Sequence, residues 1–445
     1  ALCEQERILA LTFTRKAAEE MAQRVAAGAG IRGDRPLPVV TTFHGFGLRV
    51  LRERCEGRRN FERLGYRGET KLIAERHRLE MLAEISTARE RQALEVDLSR
   101  LDNLLATLAV HPAKLDGVGA DRLGLLNEIR GRLGRRKRDG GWWDFSDIIG
   151  DVLELFDNNE AVARHYAERF GAVLVDEFQD TNPLQIRLLD RLCSGDSRLF
   201  AVGDDDQSIY GFRGADIGPI LAFGEHFPGA AVLKLETNYR STPAILAAAN
   251  RIFRDKPPLY RKVLRSGAFG PERSARGPTP RKRHFDTQQR MVGWIAAKAE
   301  RLRRVEGIDP GRMAVLFRTN ETLEHAAHLF DNLTRAPSSL PQLLTVHRSK
   351  GLEFPVVFLG DLEEEVFPSY RRKGRKKRLT PVEWLRWVLL GTRPVPVECD
   401  LGEEKRLFYV GVTRARRHLF LLSTATKYHH RRLRHFTRSR FLRLV

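Results

Sequence analysis

Two short apolar runs near the middle of the chain are each followed by acidic residues. The first run, Ala172–Val175, leads directly into Asp176 and Glu177. The second, residues 199–202, leads through a glycine into residues 204–207, which read DDDQ. Short apolar runs bounded by turn residues are typical of buried parallel strands. Since ligands bind outside the carboxyl ends of strands in an open α/β sheet, both acidic groups are expected at a ligand site.

The two carboxylates after the first run indicate a specific chemistry. A carboxylate held at a strand end can bind Mg²⁺, a hard cation that prefers oxygen ligands, which gives Asp176 a metal role. A neighbouring carboxylate can orient or deprotonate water, which gives Glu177 the role of a base. The alternative is that both acids only cap the next helix, whose start is indicated by Pro183 after Thr181 or Asn182.

The pattern of an apolar run, a turn and a helix recurs along the chain. It is found at residues 8–25 and 38–50, and residues 313–320 predict a further strand that leads into a helix. Residues 51–139 carry many charges and leucines at helical spacing. Residues 256–283 are rich in Pro, Gly, Arg and Ser, which favours a loop or linker. These patterns predict an α/β fold with parallel sheets and a separate helical segment.

Three local features leave alternatives open. The basic runs RRKR at 135–138 and RRKGRKKR at 371–378 are either solvated surface or patches that face a polyanion. Trp142 and Trp143 offer rings for base stacking, but burial against the sheet is the expected outcome because paired aromatic residues are more often core.

Composition narrows the classes of protein. The 445 residues suffice for two or three domains, and no apolar run is long enough for a membrane span. The 4 cysteines are scattered without metal or redox spacing, so we expect a reduced, cytoplasmic protein. Lys and Arg total 77 against 57 acids, a formal charge of +20. Such an excess favours a nucleic-acid partner, although an organism whose proteins are generally rich in arginine is the alternative.

The residues around both acidic groups resemble a known family. VDEFQDTN at 175–182 and VGDDDQSIYGFRGAD at 202–216 resemble motifs II and III of the UvrD/Rep family of superfamily 1 DNA helicases. The resemblance implies two RecA-like α/β domains of the P-loop NTPase type, with ATP and Mg²⁺ as cofactors. It also implies 3′→5′ translocation on single-stranded DNA and unwinding at single/double-strand junctions, in repair, recombination or replication.

The resemblance also implies the catalytic residues. LETNYRSTPAIL at 235–246 resembles motif IV, and EEKRLFYVGVTRARRHLFLLS at 403–423 resembles motif VI. The implied set comprises the base, the sensor of the γ-phosphate and two arginine fingers: Glu177, Gln207, Arg240 and Arg414. A guanidinium suits this role because it binds phosphate bidentately and stays charged. In motif IV, Ser241 or Thr242 before Pro243 also fits a helix cap, and both roles can hold together.

Further nucleotide contacts are implied by motifs IV and V. LLTVHRSKGLEFPVVFLGDL at 343–362 resembles motif V. By resemblance, Tyr239 packs on the adenine, Gly351 approaches the nucleotide, and Glu353 points towards the ribose or phosphates. Asp176 completes the nucleotide-binding set as the Mg²⁺ ligand.

The DNA contacts are implied by four motifs. LTFT at 11–14 resembles motif Ia and TFHGFG at 42–47 resembles motif Ib. Aromatic rings that stack on bases contribute about 1–3 kcal/mol per base without regard to sequence. For Phe13 the alternative is a buried core ring, and for His44 it is a structural histidine. The implied set is Thr12, Phe13, Thr14, His44, Tyr210, Phe212, His347 and Ser349.

Two departures from the family pattern affect the expected activity. The P-loop should precede motif Ia, but no GK[ST] sequence is present in the chain, which we expect to be truncated at its N-terminus. The helical subdomain 2B should precede motif V, but only the stretch LTRAPSSLPQ lies there. An ATPase-deficient DNA-binding remnant is therefore the alternative to a working motor.

The resemblance predicts three parts of the chain. Residues 1–50 and 140–235 correspond to motor domain 1A, residues 51–139 to the helical subdomain 1B, and residues 236–445 to motor domain 2A.

Overall fold

The computed structural model describes residues 7–28, 37–115, 118–193, 198–211, 215, 217–257, 261–267, 277–333, 340–369, 401–429 and 432–445. The chain divides into two compact units. Residues 1–205 with 210–226 form the first, and residues 206–209 with 227–445 form the second. Each unit has its own parallel sheet, so the predicted α/β class is confirmed.

The first unit is built on a four-stranded parallel sheet. Its strands are β1 (Ile8–Thr12), β2 (Val39–Thr42), β3 (Ala172–Val175) and β4 (Arg198–Ala201), in the order β2-β1-β3-β4. Strand β3 has the predicted bounds, and Val173 and Val175 are buried within it. Strand β4 ends before Val202, which is exposed, and Phe200 within it is 63% exposed. The prediction of a buried strand is therefore wrong for the second apolar run, because β4 lies at the edge of the sheet.

The helices of the first unit surround the sheet or extend the chain away from it. They are α1 (Arg15–Gly28), α2 (Phe43–Arg52), α3 (Asn60–Arg63), α4 (Glu75–Ile85), α5 (Ala88–Ala93), α6 (Leu98–Val110), α7 (Ala120–Gly140), α8 (Asp147–Asn158), α9 (Glu160–Arg169), α10 (Pro183–Leu192), α11 (Gly218–Leu221) and α12 (Phe223–His226). Two-residue strand pairs join Arg54–Cys55 to Arg58–Arg59 and Lys71–Leu72 to Trp142–Trp143.

Helix α10 begins at Pro183, as predicted. Asn182 is its N-cap: the Asn182 side chain accepts from the Gln185 backbone N–H, and the Gln185 side chain accepts from the Asn182 backbone N–H, both at 3.0 Å. This reciprocal pair satisfies two helix N-terminal donors. The Glu177 side chain makes no cap bond to the short helix Phe178–Asp180 that follows it. The alternative that the acidic pair only caps a helix is therefore not supported.

Residues 51–139 contain helices α3 to α7, as the leucine spacing predicts. Helices α4, α6 and α7 share a core that includes Leu82, Leu101, Leu105, Leu126 and Ile129. Their assignment to a separate 1B subdomain stays a prediction.

The basic run at 135–138 is only partly surface. Lys137 is buried and donates to Asp144 at 2.7 Å and Asp147 at 2.9 Å. Arg138 pairs with Glu154 at 2.7 Å. Lys137 is therefore neither solvated surface nor part of a patch that faces a polyanion, and both alternatives are wrong for it. The prediction treated the run as one exposed face, but Lys137 and Arg138 pair with carboxylates of α8 and of the turn before it.

The two tryptophans are placed differently from each other. Trp143 is fully buried, so stacking on bases is excluded for it. It packs against Phe61 at 5.9 Å and Tyr66 at 5.2 Å between ring centroids, so the expected burial is confirmed, while packing against the sheet stays a prediction. Trp142 is half-buried under Arg136, whose guanidinium carbon lies 4.9 Å from the ring centroid.

The second unit is built on a six-stranded sheet. Its strands are β5 (Arg281–Thr287), β6 (Met313–Phe317), β7 (Gln342–Thr345), β8 (Phe354–Leu359), β9 (Ala415–His429) and β10 (Arg432–His435), in the order β5-β9-β8-β6-β7, with β10 antiparallel to β9. Its helices are α13 (Pro243–Ile252), α14 (Gln288–Glu306), α15 (Asn320–Leu333) and α16 (Leu401–Thr413). A two-residue pair joins Thr237–Asn238 to Arg265–Ser266.

The core of the second unit confirms the predicted strand and helix after residue 313. Every residue of β6 is buried, as expected for a central parallel strand. Only residues 334–341 separate α15 from β7, too short a stretch for a domain. Within the described residues, no helix is both long and apolar enough to cross a membrane. The basic run at 371–378 lies outside the described residues.

Candidate functional site

The acidic pair of the first unit lies at the carboxyl end of β3, as predicted. The Asp176 backbone N–H donates to the Leu11 carbonyl at 3.0 Å, and the Asp176 carboxylate accepts from the Glu177 N–H at 2.9 Å. Both side chains are half-buried. Glu177 has a φ of +54°, in the left-handed region that non-glycine residues rarely adopt. Strained backbone of this kind is often found where function needs a fixed side chain.

Gln179 is a site residue that sequence reasoning missed. It is fully buried, its amide group donates to the Glu177 carboxylate, and its amide oxygen accepts from the Asp204 N–H at 2.9 Å. A Cβ at Gly203 would lie 2.7 Å from that oxygen, so only glycine fits there. Gln179 therefore ties the ends of β3 and β4 together. The available signal was its place in VDEFQD, two residues after the acidic pair.

The segment 206–209 belongs to the second unit and is held there by basic side chains. Asp206 is buried and pairs with Lys256 at 2.6 Å and Lys262 at 3.2 Å. The Ser208 carbonyl accepts from the Arg406 guanidinium at 2.6 Å. Charge-assisted bonds of this length are strong, so the backbone on both sides of Gln207 is fixed.

The structure brings together two of the candidate catalytic residues. Arg414 is 1% exposed, and its guanidinium donates to the Gln207 side-chain oxygen at 3.1 Å. It also donates to the carbonyls of Val410 and Leu352, both at 3.1 Å. These bonds fix the guanidinium at the junction between α16 and β9. The Gln207 carbonyl accepts from Lys350 at 3.1 Å.

Glu353 lies between two arginines of the second unit. It pairs with Arg240 at 2.6 Å and with Arg416 at 3.1 Å. Arg416 was not predicted; its signal was the TRARR sequence that also contains Arg414. The predicted approach of Glu353 to a nucleotide is untested. Its arginine partners show that it also positions cations.

Tyr239 and Gly351 have the exposure and conformation that a contact site needs. The Tyr239 side chain is 51% exposed, and its ring packs so closely on Gly267 that an added Cβ would lie 2.1 Å from it. Gly351 has a φ of +79°, which suits glycine. Their nucleotide contacts stay predictions.

The turn before α13 is stabilised mainly by a residue outside the predicted cap. The Asn238 side chain accepts from the backbone N–H groups of Arg240 and Ser241, both at 2.9 Å. The Ser241 hydroxyl donates to the Ala415 carbonyl at 2.6 Å, and Thr242 is the N-cap but makes no side-chain cap bond. Thr242 thus occupies the predicted N-cap position, but the predicted hydroxyl bond is absent, and the Ile245 N–H donates to the Thr242 backbone carbonyl at 3.0 Å instead.

The predicted DNA contacts of motifs Ia and V differ in accessibility. Thr14 is exposed, Phe13 is half-buried with its ring 5.5 Å from Phe43, and His347 is half-buried. The Thr12 and Ser349 side chains are buried, and their hydroxyls donate to the carbonyls of Thr14 and Val346. These two hydroxyls therefore stabilise local backbone.

His44 fits its structural alternative. Burial lowers its pKa below the ordinary value of 6.5, partly offset by a backbone hydrogen bond with Phe145. A neutral imidazole is a poor partner for phosphate. Tyr210 is half-buried, and Phe212 lies outside the described residues.

Each unit is an α/β domain with polar side chains at its strand ends, an arrangement that RecA-like domains share with other nucleotide-binding α/β folds. The family model of the UvrD/REP helicase N-terminal domain matches residues 1–228, and that of the UvrD-like helicase C-terminal domain matches residues 233–336 and 331–426. The chain therefore belongs to the UvrD/Rep family of DNA helicases, as the resemblance of its motifs predicted.

Individual relatives agree with this assignment. The chain is 30% identical to a probable DNA helicase of Mycoplasma pneumoniae, over 98% of this chain and 78% of that protein. It is 32% identical to the ATP-dependent DNA helicase Rep of Escherichia coli, over 58% of this chain and 38% of that protein. It is 34% identical to the ATP-dependent DNA helicase PcrA of Bacillus subtilis, over 56% of this chain and 33% of that protein. The matches to Rep and PcrA thus span well under half of those proteins.

Proposed function

We propose that this chain carries most of an ATP-dependent, 3′→5′ DNA helicase and single-stranded DNA translocase that acts in the cytoplasm in repair, recombination or replication. The main support is the bond of 3.1 Å between the Arg414 guanidinium and the Gln207 side chain. Both residues come from motifs that the family uses near the terminal phosphate of ATP. Because they share a bond, a displacement of one side chain alters the position of the other.

The donor set of the first unit fits Mg²⁺. Asp176 is a half-buried carboxylate at a strand end, the kind of hard oxygen ligand that Mg²⁺ prefers. Glu177 would accept a proton from water, and Gln179 would hold the Glu177 carboxylate in place for that step. Bound ATP would supply the free energy of hydrolysis of its terminal phosphate.

The donor set of the second unit fits a nucleotide. Arg240 and Arg414 would stabilise negative charge on the phosphates, since a fixed guanidinium costs no reorganisation during the reaction. Glu353 would hold Arg240 and Arg416 in position in addition to its contact with the nucleotide. Tyr239 would pack on the adenine, and Gly351 would let the backbone approach the nucleotide.

Single-stranded DNA and single/double-strand junctions are the proposed substrates. Thr14, Phe13, Tyr210 and His347 have side chains accessible enough for contact, and Phe212 is included by motif. Thr12 and Ser349 would contribute through backbone groups or local geometry, because their side chains are buried. His44 is half-buried, and its lowered pKa makes it a weaker phosphate partner than a charged imidazole would be.

The test is ATP hydrolysis stimulated by single-stranded DNA. The chain is compared with a version extended through the coding sequence upstream of Ala1, and with Glu177→Gln in the extended version. We expect turnover by the extended version, and a loss of about 10²–10⁴-fold in kcat for the substitution.

A matched control is Glu168→Gln, which replaces a glutamate on α9 of the same unit and should leave turnover unchanged. If neither the chain nor its extended version hydrolyses ATP while both bind single-stranded DNA, the motor proposal fails and a DNA-binding remnant takes its place.

A further inference from the structure

The outer edge of the second unit's sheet carries a group of positive side chains. Strand β5 is the outermost strand and begins with Arg281, Lys282 and Arg283, all exposed. Helix α14 contributes Lys298 and Arg301. These five residues are called the basic edge below. None of them belongs to a family motif named above.

Two cations of the basic edge lie over aromatic rings. Alternation along β5 puts Arg283 and Phe285 on one face. The Arg283 guanidinium carbon lies 5.3 Å from the Phe285 ring and 4.9 Å from the Trp294 ring of α14. One helical turn further on, the Lys298 ammonium lies 5.5 Å from the Phe420 ring of β9. By the same alternation, Arg281 lies on the face of Arg283, the side of the sheet that α14 covers, and Lys282 lies on the opposite face.

The charge of the basic edge is not compensated by ion pairs within the parts of the chain that the structure describes. The acids nearby have other partners. Glu306 pairs with Arg417 at 3.1 Å and His418 at 2.9 Å, and Asp286 pairs with Arg290 at 2.6 Å. A group of unpaired cations on a fixed scaffold attracts a polyanion.

Protection of an edge strand against aggregation is the ordinary reason for charge there. That reason accounts for Lys282 but not for the two cations of the helix. Their placement is unfavourable: burial lowers the pKa of Lys298, and the positive charges of Arg301 and Arg281 lower it further, with only a partial offset from Glu306. An anion bound at this surface would offset that repulsion.

We propose that the basic edge is a second nucleic-acid surface, which binds the phosphate backbone of duplex DNA. Arginine is suited to phosphate because its guanidinium offers parallel donors. A duplex is favoured over a single strand, which is usually held by open aromatic rings. Here the Trp294 ring is covered by Arg283 and packs on Phe285 and Phe420, at 5.7 and 5.5 Å between centroids.

The formal charge of +20 and the DNA substrate of the family favour DNA over an acidic protein. The proposal does not depend on ATP hydrolysis, so it can fail while the proposed motor function stands, and the reverse. The surface would hold duplex DNA without reading its sequence, since phosphate contacts carry no base information.

The experiment measures the affinity of the full chain for a labelled blunt-ended duplex by fluorescence anisotropy over a range of KCl concentrations. The test variant is R281Q/R283Q/K298Q. The matched control is R290Q/R303Q/R304Q, which removes the same charge from α14 at positions paired with Asp286 and Glu300. If all three test residues contact phosphate, the slope of log affinity against log salt falls in magnitude by about 2.7, at about 0.9 per contact.

The expected result is a reduced slope and weaker duplex binding for the test variant, with the control close to the parent and single-strand affinity similar in both variants. R281K/R283K, which keeps the charge, should retain most duplex binding and excludes a folding defect as the cause. Equal losses in test and control variants would overturn the proposal, as would a parent chain that does not bind duplex. Displacement of the duplex by polyglutamate, charge for charge, would point to an acidic protein and would also overturn it.

Discussion

Each unit buries a lysine near two carboxylates, but the surroundings of the two lysines differ. In the second unit, Lys427 and its partners Asp361 and Glu363 have side chains that are at most 2% exposed. In the first unit, Lys137 borders a cavity of about 950 Å³, and its partner Asp147 is 21% exposed. The sealed lysine is therefore expected to carry more stability than the one beside a cavity, although both make ion pairs of similar length.

The sealed group also joins three strands of the second unit. Asp361, just after β8, accepts from the Arg318 N–H just after β6 at 2.8 Å, and from the Thr322 hydroxyl in the first turn of α15 at 2.6 Å. Glu363 accepts from the Thr424 N–H of β9, the strand that contains Lys427. The group thus fixes the sheet at the carboxyl ends of β6 and β8. Arg414 lies at the opposite end, directly before the first residue of β9.

The largest expected effect is that of Lys427→Met. Removing the lysine leaves two buried carboxylates without their cation, which costs about 3–5 kcal/mol of the free energy of unfolding. Urea denaturation of the full chain measures it. The control is Lys405→Met, whose partner Asp255 is 70% exposed and whose loss should cost less than ~1 kcal/mol. Similar losses for both variants would break the distinction between sealed and open pairs.

Lys137→Met should cost less, about 2 kcal/mol, because Asp144 keeps a second cation, whereas the bonds that Asp361 and Glu363 keep come from uncharged backbone and hydroxyl donors. Asp144 retains Arg78 at 3.3 Å and the backbone of Ser146 at 2.8 Å. Burial acts to raise the pKa of Asp144, but Lys137, Ser146 and Arg78 lower it to about 2. The same urea experiment decides the order, and a loss as large as that of Lys427→Met would contradict our account.

Asp151, which lines the cavity of the first unit, should make the free energy of unfolding depend on pH. Burial, and then the charge of Asp147, raises the pKa of Asp151 to about 7 from 3.8. Because the folded state binds this proton more tightly, the contribution is complete below the unfolded pKa and is lost as the pH rises through 7. The free energy of unfolding of the parent, relative to Asp151→Asn, should fall with pH by up to about 1.4 kcal/mol per unit.

Tyr66 donates to Asp151 at 2.6 Å, and an asparagine there keeps an oxygen that can accept this bond. The control Asp157→Asn lies on the same helix and is exposed, so it should follow the parent. If the free energy of unfolding of the parent and of Asp151→Asn changed with pH in the same way, Asp151 would not be the source of the pH dependence.

The smallest effect is expected for Glu353→Gln. Its pairs with Arg240 and Arg416 involve side chains that are 33–40% exposed, so water screens them. We expect a change in unfolding free energy below ~1 kcal/mol, measured by thermal denaturation. A loss comparable to that of Lys137→Met would show that exposure does not rank the ion pairs of this chain.

Features that depend on neighbouring residues in the chain were predictable from the sequence. The apolar run of β3 and the Asn182–Pro183 start of α10 are local patterns, and the structure has them at the predicted residues. Motif resemblance also identified Gln207 and Arg414, which the fold brings into contact across 207 positions of sequence.

Features that depend on distant partners were not predictable. Gln179 is a site residue because Asp204 lies on the neighbouring strand end, and Lys137 is buried because Asp144 and Asp147 turn back onto α7. Ser349 is an accessible hydroxyl in the motif but is turned inward in the fold. Periodicity and composition do not specify such contacts, since they describe which face is buried and not which polar groups meet there.

The left-handed backbone of Glu177 has a consequence for directed evolution of this chain. A non-glycine residue in that conformation costs roughly 1–2 kcal/mol, which glycine avoids in part. Glu177→Gly relieves that strain, but it also removes the carboxylate that accepts from the buried Gln179 amide, and a buried donor left without an acceptor costs about 1–3 kcal/mol. The two effects oppose each other, so a library screened only for thermal resistance gives no reliable selection for the carboxylate proposed as the base, and such a screen needs a simultaneous selection for turnover.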